Sequence, residues 1–591
     1  MKVHLIKKDL KKLVKEPNLK NYAKICKTFS FKEFAKHEID YVNGKLNAAY
    51  NAVERNAKNF RKNKVALYWI GEELTDTLKL TFQELDQHAN RFANVLHQIG
   101  VDRGERNFFF LTRVPELYYG FLGTLKRGAI AGTMFAAFGP AAIEDRLSNS
   151  SAKSCVTELK LFNRLKEAAK NLPDLKIILV TGDPKEVKKL SIPGKKVLSL
   201  QELLAAQSTE YQTRFLDPEE PAFMLYTSGT TGKPKGVVHV HDSIIHEHMS
   251  AKYVLDLQED DVYWCTADPG WVTGIAYEIL GTWSNGASTV VYNGRFDSAA
   301  WYQIIQDYKV NIWYTAPTAI RLLQASGDDL VKKYNLSSLR HLASVGEPLN
   351  PEPIRWGLKV FGLPFHDNWW QTETGGILLA NYPSMDIKSG SMGRPLPGIE
   401  AAIVSDEGEE LGINREGNLC IKPGWPSMMR KIWRRPNKFK KYFLKESQTS
   451  KVWYVSGDRA FKDKDGYYWF IGRADDVIKT SGERVGPFEV ESALIEHPDV
   501  IEAGVYGIPD PIRGQIIKAA VKLRPGVKGT DKLKQEISQF VKKHLAGHAY
   551  PREIDFKETL PKTRSGKIMR RLLKAWDLGL PTGDTSTVVE N

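Results

Sequence analysis

After Thr81 the apolar residues Leu85, Ala89, Phe92, Leu96 and Ile99 recur at the spacing of one helix face. Thr81 and Glu84 form the capping box that begins such a helix, and Gly100 supplies its stop. Continuous apolar runs with the length of buried strands follow at 108–111, 177–180, 223–226, 290–292, 312–314 and 342–345, with helical stretches such as 319–325 between several of them. This alternation predicts α/β sheets with helical cover.

Several predicted strands run directly into polar loops: Tyr226 into TSGTTGKPKG, Tyr314 into TAPT and Val345 into GEPLNP. Ligands of open α/β sheets bind at the carboxyl ends of strands, so these loops are expected to converge on one cleft. The stretch 456–486 packs charges and glycines between two apolar regions and reads as a hinge. Beyond it, 503–506 and 516–523 have strand character, and 531–547 is an amphipathic helix with Leu533, Ile537, Phe540, Val541 and Leu545 inward. That is enough chain for a small separate domain.

At 591 residues the chain exceeds one ordinary core, which fits this division. Its net charge of +14 could attract nucleic acid, anionic membrane or small polyanions, and charge alone does not choose among them. The densest basic stretches, KKDLKKLVKEP near the start and 431–445, read as solvated faces, and no nucleic-acid-binding module is recognisable. Cys26, Cys155, Cys265 and Cys420 form no CxxC pair, which argues against a disulfide framework or a zinc site and for a reducing compartment. With no apolar leader and no membrane-length apolar run, a cytoplasmic protein without a membrane partner is expected.

The ten residues from Thr227 to Gly236 carry the most chemistry. Their glycines let backbone N–H groups approach phosphate oxygens, while hydroxyls and lysines add donors and positive charge. Pro234 follows Gly232-Lys233 where a Walker A loop needs Ser or Thr. TSGTTGKPKG instead resembles the signature of the adenylate-forming superfamily of acyl-CoA synthetases, luciferases and peptide-synthetase adenylation domains. Further matches appear in order: GEP from Gly346, WWQTETG from Trp369, YVSGD to Asp458, GRADD from Gly472, SGER from Ser481 and PKTRSGK to Lys567. Through DPGWVTG, SVGEPLNP, WWQTETGG and LPKTRSGKIMRR the chain is most similar to the AMP-forming acetyl-CoA synthetases, in their compact Gram-positive form.

The resemblance implies an α/β fold: a large N-terminal domain of stacked α/β sheets with a distorted barrel subdomain, residues 1–474, and a small mobile C-terminal α/β domain, 475–591, hinged at Asp475. It implies ligation of acetate to coenzyme A through an acetyl-adenylate, with ATP, Mg2+ and CoA required. A short- or medium-chain acyl-CoA synthetase for propionate or longer acids is the alternative. A carboxylate is already ionised at neutral pH, so its attack on the α-phosphate needs positioning and charge neutralisation rather than a general base.

By similarity, Lys567 bridges the carboxylate and the α-phosphate, and Lys235 with Thr227, Ser228, Gly229, Thr230, Thr231 and Gly232 holds the departing pyrophosphate. Gly346, Glu347, Pro348, Asp367, Asn368, Trp369, Trp370, Gln371 and Thr372 form the adenine and phosphate wall. Asp458 chelates the ribose hydroxyls, and Arg473 and Arg484 serve ribose and phosphate. Glu373 helps bind magnesium, and main-chain oxygens of Ile495, His497 and Val500 match a second magnesium site.

Val272, Thr273, Val345 and Trp370 match the acyl pocket of the acetate enzymes, where the indole fills the volume a longer chain would enter. Thr273 and Ser481 match CoA contacts, and Lys542 stands where an arginine is usual, keeping charge without the bidentate fork. Only Arg164 lies where the longer relatives carry paired arginines. Lys567 is further expected to be open to a protein acetyltransferase and deacetylase when the small domain swings away. All of Lys567, Asp458, Glu373 and Arg473 are present, which argues against an inactive binding protein.

Overall fold

The helix expected after Thr81 spans Phe82–Gln98, with the capping box formed and Leu85, Ala89, Phe92 and Leu96 buried. Ile99 is half-buried at its end, and Gly100 has a φ of 77°. The computed structural model describes residues 4–229, 232–446, 451–481, 483–545, 549–563, 567–582, 585 and 588.

Two large sheets form the N-terminal domain. An eight-stranded sheet runs in the order Lys431–Ile432, Gly232–Val240, Pro221–Gly229, Ile130–Phe135, Arg106–Leu111, Ser154–Glu158, Ile177–Thr181, Lys196–Ser199. A seven-stranded sheet runs Phe365–His366, His341–Ser344, Ile312–Thr315, Val262–Cys265, Ser288–Tyr292, Val65–Ile70, Thr77–Thr81. The apolar runs between 108 and 345 read as strands lie in these two sheets, with Val345 just past the end of its strand, and five neighbouring strands of the first sheet, from Ile130–Phe135 to Lys196–Ser199, pair in parallel. Leu67 and Val291 of one sheet and Phe109, Ala131 and Leu225 of the other share one core. Helices Phe82–Gln98, Pro115–Arg127 and Ser243–Tyr253 pack into it. Gly123 permits close helix contact, since a Cβ there would lie 2.5 Å from the carbonyl oxygen of Ala89.

The unit expected as a distorted barrel is an antiparallel sheet built from Ala401–Val404, Gly417–Ile421, Val452–Lys462, Phe443–Lys445 and Tyr468–Arg473. The 456–486 stretch read as a hinge is mostly paired strand: Asp458 sits opposite Arg473 in register, and the longest unpaired stretches among the described residues are 463–467 and 474–477. The small domain follows, with its own sheet of Glu483–Val485, Ile478–Thr480, Gly514–Leu523, Val500–Asp510 and Glu553–Phe556 and its own core. Its amphipathic helix is Asp531–His544, with Leu533, Ile537 and Val541 buried. Among the described residues no helix is long and apolar enough to cross a membrane.

Glu247, on the helix Ser243–Tyr253, is fully buried, and neither carboxylate oxygen has a partner among the described residues. Burial raises its pKa well above 4.5, so folding holds a proton that the unfolded chain releases. That contribution is fully present below about pH 4.5 and is lost as pH rises toward the folded pKa, by up to about 1.4 kcal/mol per pH unit. Glu247→Gln is therefore expected to flatten the decline of melting temperature between acidic and neutral pH. Parallel slopes for wild type and variant would contradict this assignment.

Candidate active site

The polar loops do converge. Those ending Pro221–Gly229, Val262–Cys265, Ile312–Thr315 and His341–Ser344 line one cleft of about 880 Å³ with residues of 367–373, Asp458, Arg473 and, from the small domain, Lys567. The phosphate-loop residues are not a strand-to-helix turn. Pro221–Gly229 and Gly232–Val240 pair antiparallel, so the loop is the tip of a hairpin. Thr230 and Thr231 lie outside the described residues, and Ser228, Gly229 and Gly232 are described in backbone only. Thr227 and Lys235 line the cleft, and the buried hydroxyl of Thr227 has no partner among the described residues.

Lys235 Nζ lies 2.7 Å from Glu373, and Tyr442 donates its hydroxyl to Glu373 at 2.9 Å while also bonding Lys235. Burial alone would raise the Glu373 pKa, but the charge and hydrogen bond of Lys235, a backbone N–H and the Tyr442 hydroxyl together outweigh it and leave the carboxyl below its usual range. Glu373 is held from behind: His239 bonds the Thr372 and Ser427 carbonyls at 2.9 and 3.0 Å, and Gly375 has a φ of 70°. A Cβ at Gly375 would fall 2.2 Å from the Ser427 oxygen, so only glycine fits. A buried carboxylate that lines the cleft beside the Tyr442 hydroxyl suits Mg2+, which takes one or two carboxylates and leaves positions for phosphate and water. Ile495 lines the cleft at the end of the helix Pro487–Ile495, whereas the main-chain oxygen of His497 already accepts from Val500 N–H at 3.0 Å.

Asp458 accepts from Trp369 Nε1 at 2.9 Å, Gln371 Nε2 at 3.1 Å and Arg473 Nη1 at 3.0 Å. Burial raises its pKa, and the Arg473 charge and these donors oppose the rise. Asp367 is buried and pushed up to about 8 by desolvation; Leu349 N–H donates to Oδ2, while Oδ1 has no partner among the described residues. Asn368 donates to the Ser344 carbonyl at 2.8 Å, joining this wall to the seven-stranded sheet. Gly346, with a φ of 95° and open space where a Cβ would stand, turns the chain along the cleft. The following Glu347 is clamped by Thr318 at 2.7 Å and Arg321 at 3.0 Å, and Pro348 completes that rim.

Lys567 reaches the cleft on a turn closed by its own N–H to Thr563 Oγ1 at 3.2 Å and by Thr563 N–H to its carbonyl at 2.8 Å. Its side chain opens to the solvent of the cleft but has protein around it; that surrounding and the Arg473 charge lower its pKa, while Asp458 and Asp476 pull it back. Arg570 fixes the turn, bonding Glu491 at 2.6 and 2.7 Å and Asp476 at 3.3 Å. Asp475, in the turn between the domains, lies 3.8 Å from Arg473.

Val272, Thr273 and Val345 are buried and face the cleft with Trp370. The indole is held by the edge of Tyr277, centroids 5.1 Å apart, and by Nε1 on the Tyr314 hydroxyl at 3.3 Å. Tyr277 belongs to a π-helical segment, Gly274–Leu280, immediately after Thr273. Tyr277 did not stand out in the sequence, and Tyr314 did so only as the end of a strand, because nothing local links either to Trp370. Tyr442 escaped notice for the same reason.

Arg484, Ser481 and Lys542 do not line the cleft. All three are exposed on the small domain: Arg484 acts on Asp406, Ser481 bonds Arg513, and Lys542 lies over the Tyr550 ring at 5.2 Å. Arg164 donates to the Ala136 carbonyl at 2.9 Å.

Two family models match the chain, the AMP-binding enzyme over residues 53–433 and the AMP-binding enzyme C-terminal domain over 489–567. An acetyl-coenzyme A synthetase of Bacillus subtilis (strain 168) is 53% identical over 572 residues, 97% of each chain. One from Methanothrix thermoacetophila is 42% identical over 93% of this chain and 85% of its own. The crystal structure of a Brucella canis acyl-CoA synthetase superposes with a TM-score of 0.73 at 35% identity, over 95% of this chain and 99% of that one. An anthranilate CoA ligase in complex with anthranoyl-AMP gives 0.82 at 29% identity, over 93% and 99%.

Proposed function

The chain belongs to the AMP-binding enzyme family, and from that premise we propose that it ligates acetate to coenzyme A through an acetyl-adenylate, yielding AMP and pyrophosphate. The observation that carries the reading is the meeting, in one cleft, of the Asp458–Arg473 pair, the Lys235–Glu373 pair and Lys567.

In the first half-reaction an acetate oxygen forms the bond to the α-phosphorus while the bond to the pyrophosphate oxygen breaks. Asp458 takes the ribose hydroxyls, while Asp367 Oδ1 and the Thr227 hydroxyl, without partners among the described residues, are open to polar groups of the nucleotide, Thr227 as a donor to phosphate. Lys567 offsets the repulsion between carboxylate and α-phosphate. Glu373 would hold Mg2+, which supplies charge neutralisation to the phosphates when bound; Lys235, now neutralised by Glu373, would then turn to the leaving pyrophosphate. In the second half-reaction the CoA sulfur bonds the acetyl carbon, AMP departs and the thiol proton is lost to solvent.

Ser481, Arg484 and Lys542 stand apart from the cleft, which supports a small domain that turns about Asp475 to present them for the second step. Lys567, on an exposed turn once the domain swings, would suit a protein acetyltransferase and deacetylase, and a cytoplasmic setting follows from the substrates. Pyrophosphate release measured with acids from acetate to hexanoate, with and without CoA, tests the reading. Acetate is expected to lead and hexanoate to give nothing; release that ignores the acid supplied would rule the proposal out.

A further inference from the structure

The basic stretch 431–445 is not a dispersed solvated face. Lys431–Ile432 pairs antiparallel with Gly232–Val240, Ile432 opposite Val237, and Trp433 N–H donates to the Gly236 carbonyl at 2.7 Å. The stretch therefore runs beside the phosphate hairpin, and Tyr442 at its far end ties it to both Lys235 and Glu373. Between these anchors lies the short helix Pro436–Lys440 with Lys438, and among the described residues the charges acting on Lys438 are those of Lys235, Arg435 and Lys441. Half-buried, and with no carboxylate paired to it among the described residues, Lys438 has its pKa lowered by burial and by these like charges.

Concentrated like charge is unfavourable by itself. Lys235 has Glu373 as counter-charge, whereas Lys438 and Lys441 have none among the described residues. Lys235 lines the cleft, and Lys438, on which the Lys235 charge acts, lies beyond that lining.

We propose that Lys438 and Lys441, beside Lys235, form a diphosphate-binding station that receives inorganic pyrophosphate as it leaves the phosphate hairpin. The proposal rests on the adenylation reading above and adds to it where the product goes. The station sets how tightly pyrophosphate is retained, and hence how readily adenylation runs backward. It has no part in binding acetate or in transfer to CoA.

The test compares full-length wild type, the Lys438→Gln/Lys441→Gln double variant and Lys440→Gln, an exposed lysine of the same helix that does not act on Lys438. In acetate-dependent ATP–pyrophosphate exchange, the half-saturating pyrophosphate concentration is expected to rise roughly five- to tenfold in the double variant and to stay within about twofold in Lys440→Gln. The KM for acetate and thioester formation from supplied acetyl-adenylate should not move. An unchanged pyrophosphate dependence in the double variant, or an equal rise in Lys440→Gln, overturns the station. Absence of exchange in wild type would instead remove the adenylation reading. Calorimetric titration of inorganic pyrophosphate into wild type and double variant then reads the station without turnover, and equal affinities reject it.

Discussion

Lys567→Gln is expected to lose acetate-dependent ATP–pyrophosphate exchange by on the order of 10²-fold or more, while supplied acetyl-adenylate and CoA still yield acetyl-CoA. The amine faces a cleft whose nearest fixed charges are Arg473 and Asp458, and these already pair with each other at 3.0 Å. Arg473 is paired with Asp458, and Arg570 with Glu491 and Asp476, so neither of these guanidiniums is free to replace the Lys567 amine between two anions approaching each other. Glutamine removes the positive charge of the side chain, as acetylation does. The second half-reaction expels AMP from a carbonyl carbon and has no such pair of anions to bring together. Equal loss of both activities would overturn this assignment, because the turn is held by the bonds of the Lys567 backbone to Thr563 and by Arg570 on Glu491 and Asp476, none of which uses the amine.

How much of this was legible in the sequence follows from the range of each interaction. The helix Phe82–Gln98 was readable because its cap, face and stop are local. So were the strands, whose apolar runs report burial on both faces of parallel sheets. The phosphate loop was readable as chemistry but not as a hairpin tip, because Gly229 and Gly232 pair across it and the flanking strand Gly232–Val240 begins inside the motif. The 456–486 stretch misled in the other direction. Its charges belong to cross-strand pairs such as Asp458 with Arg473, and composition alone cannot tell a charged ladder from a linker. Most opaque were the residues acting through a motif residue from far along the chain: Tyr442 on Glu373, 69 positions away, and Tyr314 on Trp370, 56 positions away.

Trp370 gives the other large effect. Trp370→Gly is expected to shift preference from acetate to acids of four or more carbons. Each methylene accommodated is worth about 1–3 kcal/mol, roughly 10- to 200-fold in kcat/KM. The reason lies in what stands behind the indole. Tyr277 meets its edge at 5.1 Å, the Tyr314 hydroxyl accepts its N–H at 3.3 Å, and Val272 and Val345 close the sides of the cleft. Tyr314 in turn donates to Asn368 at 2.9 Å, and Tyr277 bonds Ser250 at 2.7 Å and Ile377 N–H at 2.7 Å, so neither ring is free to collapse into the vacated volume. The space becomes a longer pocket with a tyrosine floor, and the gain should end where the chain reaches that floor instead of growing with every added carbon. Relative kcat/KM for acetate, propionate, butyrate, hexanoate and octanoate measures both the shift and its limit. A folded, active variant that still favours acetate would take Trp370 out of the acyl pocket, and a preference that climbs without a maximum would take Tyr277 and Tyr314 out of its floor.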